Sequence, residues 1–163
     1  MNINCEISSN TDVLETYKKY YGWIPGKDDI RPTEFQSLLK KNLLTNINTK
    51  YQSSRDYILI ELFYYNFTKT EEGKFKAVET RDNQLTKFEC CRFKYQIPNK
   101  TFHYILWFTT DKLNLNEQKI NKIIFNSIQN TIHTDKFSFV WYENPKMTIT
   151  DIYHVQVFFV KNQ

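Results

Sequence analysis

The chain has 163 residues, a net charge of +4, and 13 Phe, 11 Tyr and 3 Trp residues. Such aromatic content excludes a disordered chain, the length fits one domain, and the small charge excess excludes an extended nucleic-acid-binding surface. The three cysteines lack metal-ligand spacing, the first residues lack the basic and then apolar pattern that predicts a leader sequence, and no apolar run approaches about 18 residues. We therefore expect a soluble cytoplasmic protein without a disulfide framework.

The N-terminal third predicts a loose segment followed by two helices. Residues 1–10 are polar and are expected to be loose, whereas residues 11–163 are expected to form one domain. Apolar residues at helical spacing predict a first helix over residues 11–21. A second helix is expected to carry Pro32 in its first turn and to end before a turn-like stretch at residues 46–54.

The second helix has one apolar stripe and one basic pair. Its buried stripe is predicted to consist of Phe35, Leu38, Leu39 and Leu43. The pair Lys40–Lys41 is interpreted as part of a solvated helix face, because interaction tails usually need longer runs of like charge.

The middle of the chain predicts short strands separated by polar turns. Residues 56–67 form an apolar run whose period does not separate a buried strand from a buried helix. Its aromatic and β-branched residues favour a strand in the second half. Further short strands are expected at Phe75–Thr80 and Leu85–Tyr95, because turn-forming residues bound both segments.

The strand at Phe102–Phe108 is expected to be the centre of the fold. Alternation places on one side Phe102, Tyr104, Leu106 and Phe108, and on the other His103, Ile105 and Trp107. A helix at Leu115–Asn130, capped by Asn114, and two strands at Phe137–Tyr142 and Ile152–Val160 follow. This order predicts a single-domain α+β fold, in which helices pack on a mostly antiparallel sheet.

Three segments of the C-terminal part resemble a known family. They are His103-Tyr104-Ile105-Leu106-Trp107, Val140-Trp141-Tyr142-Glu143-Asn144-Pro145 and His154-Val155. Their order and spacing are similar to those of the family catalogued as domain of unknown function 3605, which occurs in fungi and giant DNA viruses. Upstream, Cys91–Tyr95 departs from the family's Asn-Asp-Trp-Pro-Tyr-like motif. The resemblance implies a fold and a site around the two histidines, but no activity.

The composition adds an expectation about the source of the protein. The chain is rich in Asn, Lys, Ile, Tyr and Phe and has only 3 Gly, as an AT-rich genome would encode. Together with the family resemblance, this leads us to expect a viral protein located in the host cytoplasm.

His103 and His154 are the residues best suited to acid–base chemistry, because imidazole titrates near neutral pH. Each begins a His-hydrophobic-x-hydrophobic motif, and a pair of such motifs resembles those of the two-histidine phosphoesterases. Those enzymes carry Ser or Thr two residues after each histidine, where this chain has Ile105 and Gln156. Gln156 can still donate a hydrogen bond to a ligand. The structural alternative is that each histidine lies at a strand end, bonded to backbone and packed on aromatic rings.

Four further residues are candidates for ligand binding. Trp107 and Trp141 can stack on a nucleobase, although rings at alternating strand positions are more often core residues. Glu143 and Asn144 end a strand, where loops often carry function, although Asn-Pro is also an ordinary turn signal. Both pairs therefore have a structural as well as a functional interpretation.

Two functions follow from these candidates. The first is a binding or interaction module with a surface lined by histidine and aromatic residues, whose partner is a protein or a nucleotide- or phosphate-bearing ligand. The alternative is a small metal-independent enzyme that processes a phosphoester or nucleotide, with His103 and His154 as acid and base. No cofactor, metal site or membrane contact is expected, because the chain has no glycine-rich phosphate loop and no acidic cluster.

Overall fold

The computed structural model describes residues 32–79, 84–97, 100–144 and 147–162. The expected loose segment and first helix of residues 1–21 lie outside these ranges. Within them, the helices are α1 (Glu34–Lys50), α2 (Ser54–Glu61) and α3 (Glu117–Ile132), with a short 3-10 helix at Lys112–Asn114. The strands are β1 (Phe67–Lys69), β2 (Phe75–Ala77), β3 (Thr86–Cys90), β4 (Thr101–Phe108), β5 (Phe137–Tyr142) and β6 (His154–Lys161).

The main sheet has four antiparallel strands in the order β3-β4-β6-β5, so β4 and β6 occupy its centre. Aromatic and β-branched residues fill both central strands, and every residue from His154 to Val160 is buried. The pairing of β4 with β6 places Trp107 opposite His154 and His103 opposite Phe158. A separate antiparallel hairpin joins β1 to β2. This architecture confirms the expected α+β fold with a mostly antiparallel sheet.

One face of the main sheet packs against α3, and we call it the α3 face. Its central side chains are Leu106, Phe108, Val155, Val157 and Phe159. The stripe of α3 that meets them consists of Ile120, Ile124 and Ile128. All eight side chains are at most 4% exposed, and each contributes roughly 1.5–3 kcal/mol when it is removed from water. This face is therefore a closed hydrophobic core.

The opposite face of the sheet packs against α1 and α2, and we call it the helix-pair face. It presents the remaining side chains of the central strands, which include His103, Ile105, Trp107, His154, Gln156 and Phe158. A hydrophobic core joins Trp107 to the two helices through Ile47 of α1 and Leu59 of α2. Tyr95 and Ile97 pack over another part of this face. The alternation predicted for β4 is thus confirmed.

The ends of α1 differ from those of the predicted second helix. α1 begins at Glu34 behind the N-cap Thr33, whose Oγ1 accepts a hydrogen bond from the backbone N–H of Gln36 at 3.2 Å. Pro32 lies before the helix rather than in its first turn. At the other end, the helix continues to Lys50, through residues that were predicted to form a turn.

The buried stripe of α1 is displaced from its predicted position. Phe35, Leu38 and Leu39 are between 41% and 66% exposed, so the prediction that they are buried is wrong. Leu43 is half-buried, and the only described residue of this helix that is fully buried is Ile47. The reason is that α1 packs on the sheet through its C-terminal half, and this packing keeps that half helical.

α2 occupies the apolar run for which the sequence left strand and helix open. The Oγ of Ser53 caps it by accepting a hydrogen bond from the backbone N–H of Asp56 at 3.0 Å. A carboxylate oxygen of Asp56 accepts a second one from the backbone N–H of Ala77 at 2.8 Å, which ties the helix to β2. The strand favoured for the second half of the run is therefore wrong, except at Phe67, where β1 begins.

Other element ends also lie away from their predicted positions, and two of these differences have a clear structural reason. β3 stops at Cys90, because the chain then leaves the sheet edge and crosses to the helix-pair face, where Tyr95 packs. α3 is capped by Asn116, whose Oδ1 accepts a hydrogen bond from the backbone N–H of Lys119 at 2.8 Å, whereas Asn114 ends the 3-10 helix. The expected capping chemistry is present, but two residues later in the chain.

Candidate functional site

Both candidate histidines lie on the helix-pair face, but far apart along it. His154 is the cross-strand partner of Trp107, and His103 lies four residues before Trp107 on β4. At about 3.3 Å per residue, this register separates the two histidines by roughly 13 Å along the strands. The structure therefore does not bring the two imidazoles together at one site.

His103 is enclosed by rings and by one amide. Its imidazole stacks on Phe158 at a centroid distance of 4.2 Å, and the ring of Tyr95 meets it edge-on at 4.6 Å. Its Nε2–H donates a hydrogen bond to Oε1 of Gln156 at 2.6 Å, while Nδ1 has no hydrogen-bond partner among the described residues. Burial lowers the pKa of His103 to about 4, against the opposing effect of the bond to Gln156. The ring is therefore neutral near pH 7.

His154 supports the indole of Trp107. Its imidazole lies 4.3 Å from the Trp107 ring, and its Nδ1–H donates to the backbone carbonyl of Ile152 at 3.0 Å. Burial lowers the pKa of His154, and the bond to Ile152 opposes this shift. Both histidines thus have neutral, enclosed rings, bonded to neighbouring groups of the fold. His154 matches the structural alternative, because it begins a strand and is bonded to backbone, whereas His103 lies within β4 and is bonded to the side chain of Gln156. Neither arrangement is that of an acid–base pair that faces a substrate.

Two of the candidate binding residues lie on the other side of the sheet. Trp141 points to the α3 face, where its Nε1–H donates to Oδ1 of Asn121 at 2.6 Å. The two carboxylate oxygens of Glu143 lie 2.7 Å and 2.8 Å from Nζ of Lys112, and one also accepts from the hydroxyl of Tyr153 at 3.1 Å. Trp141 and Glu143 are therefore not part of a site with the histidines.

An apolar cavity of about 70 Å³ lies between α1, α2 and the helix-pair face, and we call it the apolar cavity. Its apolar lining includes Leu43, Leu44, Leu62, Ile105, Trp107 and Ile149. Three charged side chains also border it, namely Lys40, Glu89 and Arg92. The guanidinium of Arg92 donates to the hydroxyl of Tyr57 at 3.0 Å. The cavity opens to solvent, so it can admit a group from outside.

Two free cysteines border the same cavity, Cys90 and Cys91. Cys91 is buried, and its thiol donates to the backbone carbonyl of Phe93 at 3.4 Å. Burial raises the pKa of Cys91, although this bond and the charge of Lys40 act against the shift. Cys91 is therefore a protonated, weakly polar lining group rather than a nucleophile.

A second recess, the polar cleft, adjoins the apolar cavity and has a volume of about 300 Å³. Its polar lining consists of Ser37, Lys40, Lys41, Tyr95, Asn144 and Thr148. Lys40 and Leu44 line both recesses, so the two are neighbours. Asn144 is only 8% exposed and is the single candidate of the Glu143–Asn144 pair that lies on this side.

The sequence interpretation missed Lys40, which borders both recesses. Lys40 was assigned to a solvated helix face, yet it is half-buried. The signal was present in the spacing, because Lys40, Leu43 and Ile47 lie three and seven residues apart and so share one helix face. A lysine within an apolar stripe is a stronger indication of a ligand site than its membership of a basic pair.

In the parts of the chain that the structure describes, no helix is long and apolar enough to cross a bilayer. No three side chains among His, Cys, Asp and Glu come together there as the ligands of a metal ion.

Comparison with known proteins gives no relative: no protein-family model, curated protein or solved structure matches this chain significantly. The resemblance to the domain of unknown function 3605 family therefore stays a prediction. The function has to be argued from the recesses and their lining residues.

Proposed function

We propose that this protein is a binding module that takes an apolar side chain of a protein partner into the apolar cavity. The observation that carries the proposal is the cavity itself, an open recess with an apolar lining between the helix pair and the sheet. Concave, mostly apolar recesses with a few polar groups at their borders are the usual form of binding sites. Of the candidate residues, Trp107 is the one that lies at this site.

The size of the apolar cavity supports one side chain as its occupant. An apolar cavity of roughly 150 Å³ holds a benzene molecule, so about 70 Å³ accommodates a smaller aliphatic group. Side chains of Leu, Ile or Met match this volume and this lining better than a nucleobase does. A single buried anchor of this kind can dominate the affinity of an interface.

The position of Trp107 supports a preformed site. Its indole is 6% exposed and is held between His154 and the core of the two helices. The bond from His154 to the backbone of Ile152 fixes the imidazole that supports the indole. The partner's side chain would therefore contact an indole that is already held in position, which reduces the entropy cost of binding.

The geometry does not favour the alternative of a phosphoester-processing enzyme. The two imidazoles are separated along the strands, and Nε2 of His103 is engaged by Gln156. Neither ring borders the apolar cavity or the polar cleft. The acid–base pair is therefore not part of the proposed function.

The test is a selection of random peptides on the full-length protein, with the Ile105→Phe variant as competitor. Ile105 lines the cavity, so a phenyl ring at this position fills the space that an anchor needs. We expect the selected peptides to share one Leu, Ile or Met. Replacing that residue of the peptide by Ala should weaken binding at least tenfold. The Ile105→Phe substitution in the protein should weaken it by at least as much.

The matched control is Ile123→Phe on α3, because Ile123 is also half-buried but lies on the other side of the sheet. The dissociation constant of the selected peptides for this variant should stay within about twofold of that for the wild-type protein. A selection that gives no binder contradicts the proposal, and so do peptides that the Ile105→Phe variant binds as tightly as the wild type does.

A further inference from the structure

The polar cleft has the side chains that an anionic group needs, and it lies beside the apolar cavity. Ser37, Lys40, Lys41 and Leu44 occupy one face of α1, because they are spaced by three, four and seven residues. The two lysines supply ammonium groups, and Ser37 adds a hydroxyl. Ammonium groups bind carboxylate and phosphate oxygens through charge-assisted hydrogen bonds.

Two other elements complete the cleft. Tyr95 comes from the segment that crosses the helix-pair face, and Asn144 follows β5. Tyr95 is packed against His103, and Asn144 is buried, so both are held by the fold. Three separate parts of the chain thus line one recess with residues that carry hydroxyl, amide and ammonium groups.

Lys40 connects the two recesses. It lines both, and its charge contributes to the pKa of His103, His154 and Cys91, after the larger effect of burial in each case. Its positive charge therefore acts towards the interior of the helix-pair face rather than only towards solvent. A ligand with an apolar and an anionic part can use both sides of this residue.

We infer that the polar cleft binds an anionic group of the same partner whose apolar side chain fills the apolar cavity. This inference rests on the proposed function and adds the chemistry of the partner: an apolar residue with a carboxylate or a phosphate nearby. Because the two recesses share Lys40 and Leu44, the anionic group belongs to a residue close to the anchor in the partner's chain. Glu89 and Arg92 border only the apolar cavity, where their opposite charges offset each other, whereas the charged residues of the polar cleft are both lysines.

The experiment uses synthetic peptides that carry the selected apolar anchor and differ at one neighbouring position. That position is Glu, Gln, phosphoserine or Ser, and binding to the full-length protein is measured by calorimetry at two salt concentrations. We expect the Glu and phosphoserine peptides to bind about tenfold more tightly than the Gln and Ser peptides. The advantage should shrink at high salt, because the interaction is between charges.

The protein variant for this test is Lys40→Met, which keeps an unbranched stem but removes the charge. It should abolish the preference for Glu over Gln while the anchor is still required. Lys122→Met is the control, because Lys122 is exposed on α3 and distant from both recesses. Comparing the Glu and phosphoserine peptides shows which anionic group the cleft prefers.

The outcomes separate this inference from the proposed function. If the Glu and Gln peptides bind equally and the Ile105→Phe variant binds neither, the inference is overturned and the proposed function stands. If no peptide depends on Ile105, inorganic phosphate is titrated alone, with the backbone amide signals of Ser37 and Asn144 as readout. Saturating shifts that Lys40→Met removes would support the anionic site without a partner side chain, and their absence would overturn both proposals.

Discussion

The two faces of the main sheet share the same central strands but differ in what covers them. On the α3 face, Ile124 and Ile128 meet the sheet in a core without buried charge. On the helix-pair face, the same strands present His103, His154 and Gln156, and the helices above leave an apolar cavity. Successive side chains along the central strands therefore alternate between two layers. One is the dense core of the α3 face, and the other is the less tightly packed, more polar layer of the helix-pair face.

Under the proposed function, this difference separates the face that mainly stabilises the fold from the face that binds a partner. Each side chain that a closed apolar face buries completely contributes roughly 1.5–3 kcal/mol of hydrophobic free energy. Buried polar groups and unfilled space lower stability, so they persist best where they have another role. The predictions that follow test whether the two faces respond as differently as their packing indicates.

The largest effect is expected on the α3 face, at Phe159. This side chain is fully buried and stacks on Phe102 at a centroid distance of 4.9 Å. Phe159→Ala should lower the free energy of unfolding by about 3–5 kcal/mol, because it leaves a cavity in a closed core. Urea unfolding followed by circular dichroism measures this change. A loss below about 1 kcal/mol would mean that the α3 face is not closed.

A smaller effect is expected on the helix-pair face when the pH falls. The pKa of His103 is about 4 in the folded protein, mainly because of burial, and about 6.5 in an unfolded chain. Between these values the unfolded state binds more protons, so the stabilising contribution is complete above pH 6.5 and is lost as the pH falls towards 4. We expect this loss to be on the order of 1–3 kcal/mol.

The variant for this prediction is His103→Phe, which keeps a ring beside Phe158 but cannot titrate. Its unfolding free energy should depend less steeply on pH between 6.5 and 4 than that of the wild type. His154, whose pKa is also lowered by burial, should account for part of the remaining slope. An unchanged slope in the variant would show that His103 is solvated in the folded protein.

The third prediction compares one substitution on both faces. Ile124→Phe inserts a larger ring into the closed core and should cost about 1–3 kcal/mol of unfolding free energy. Ile105→Phe should change it by less than about 1 kcal/mol, because the added atoms enter the apolar cavity. Chemical unfolding of the two variants in parallel gives the comparison. Equal losses would contradict the claim that only one face has space.

Much of the fold was predictable because it depends on local alternation. A period of two residues is enough to place Leu106 and Trp107 on opposite faces of β4, and the apolar stripe of α3 follows from spacing in the same way. By contrast, the length over which α1 meets the sheet depends on tertiary packing. Nothing in the sequence near Phe35 indicates that the sheet does not reach it.

The candidate site was less predictable, because it depends on register between distant strands. The pairing of β4 with β6 decides that His103 meets Phe158 and Gln156 instead of His154. Neither strand carries this register in its own pattern, since both have apolar residues on each of their faces and only a few polar ones, such as His103, His154 and Gln156. Lys40 was within reach of sequence reasoning through its spacing from Ile47, but only the structure shows that it borders two recesses.

The most direct test of the difference between the faces uses their two tryptophans as reporters. The full-length protein is labelled with 5-fluorotryptophan, the signals are assigned with Trp107→Phe and Trp141→Phe, and fluorine spectra are recorded under increasing xenon pressure. Xenon enters accessible apolar cavities. The Trp107 signal should shift in a saturating manner that Ile105→Phe abolishes, while the Trp141 signal stays nearly constant. No saturating shift at Trp107, or an equal shift at Trp141, would contradict an accessible cavity confined to the helix-pair face.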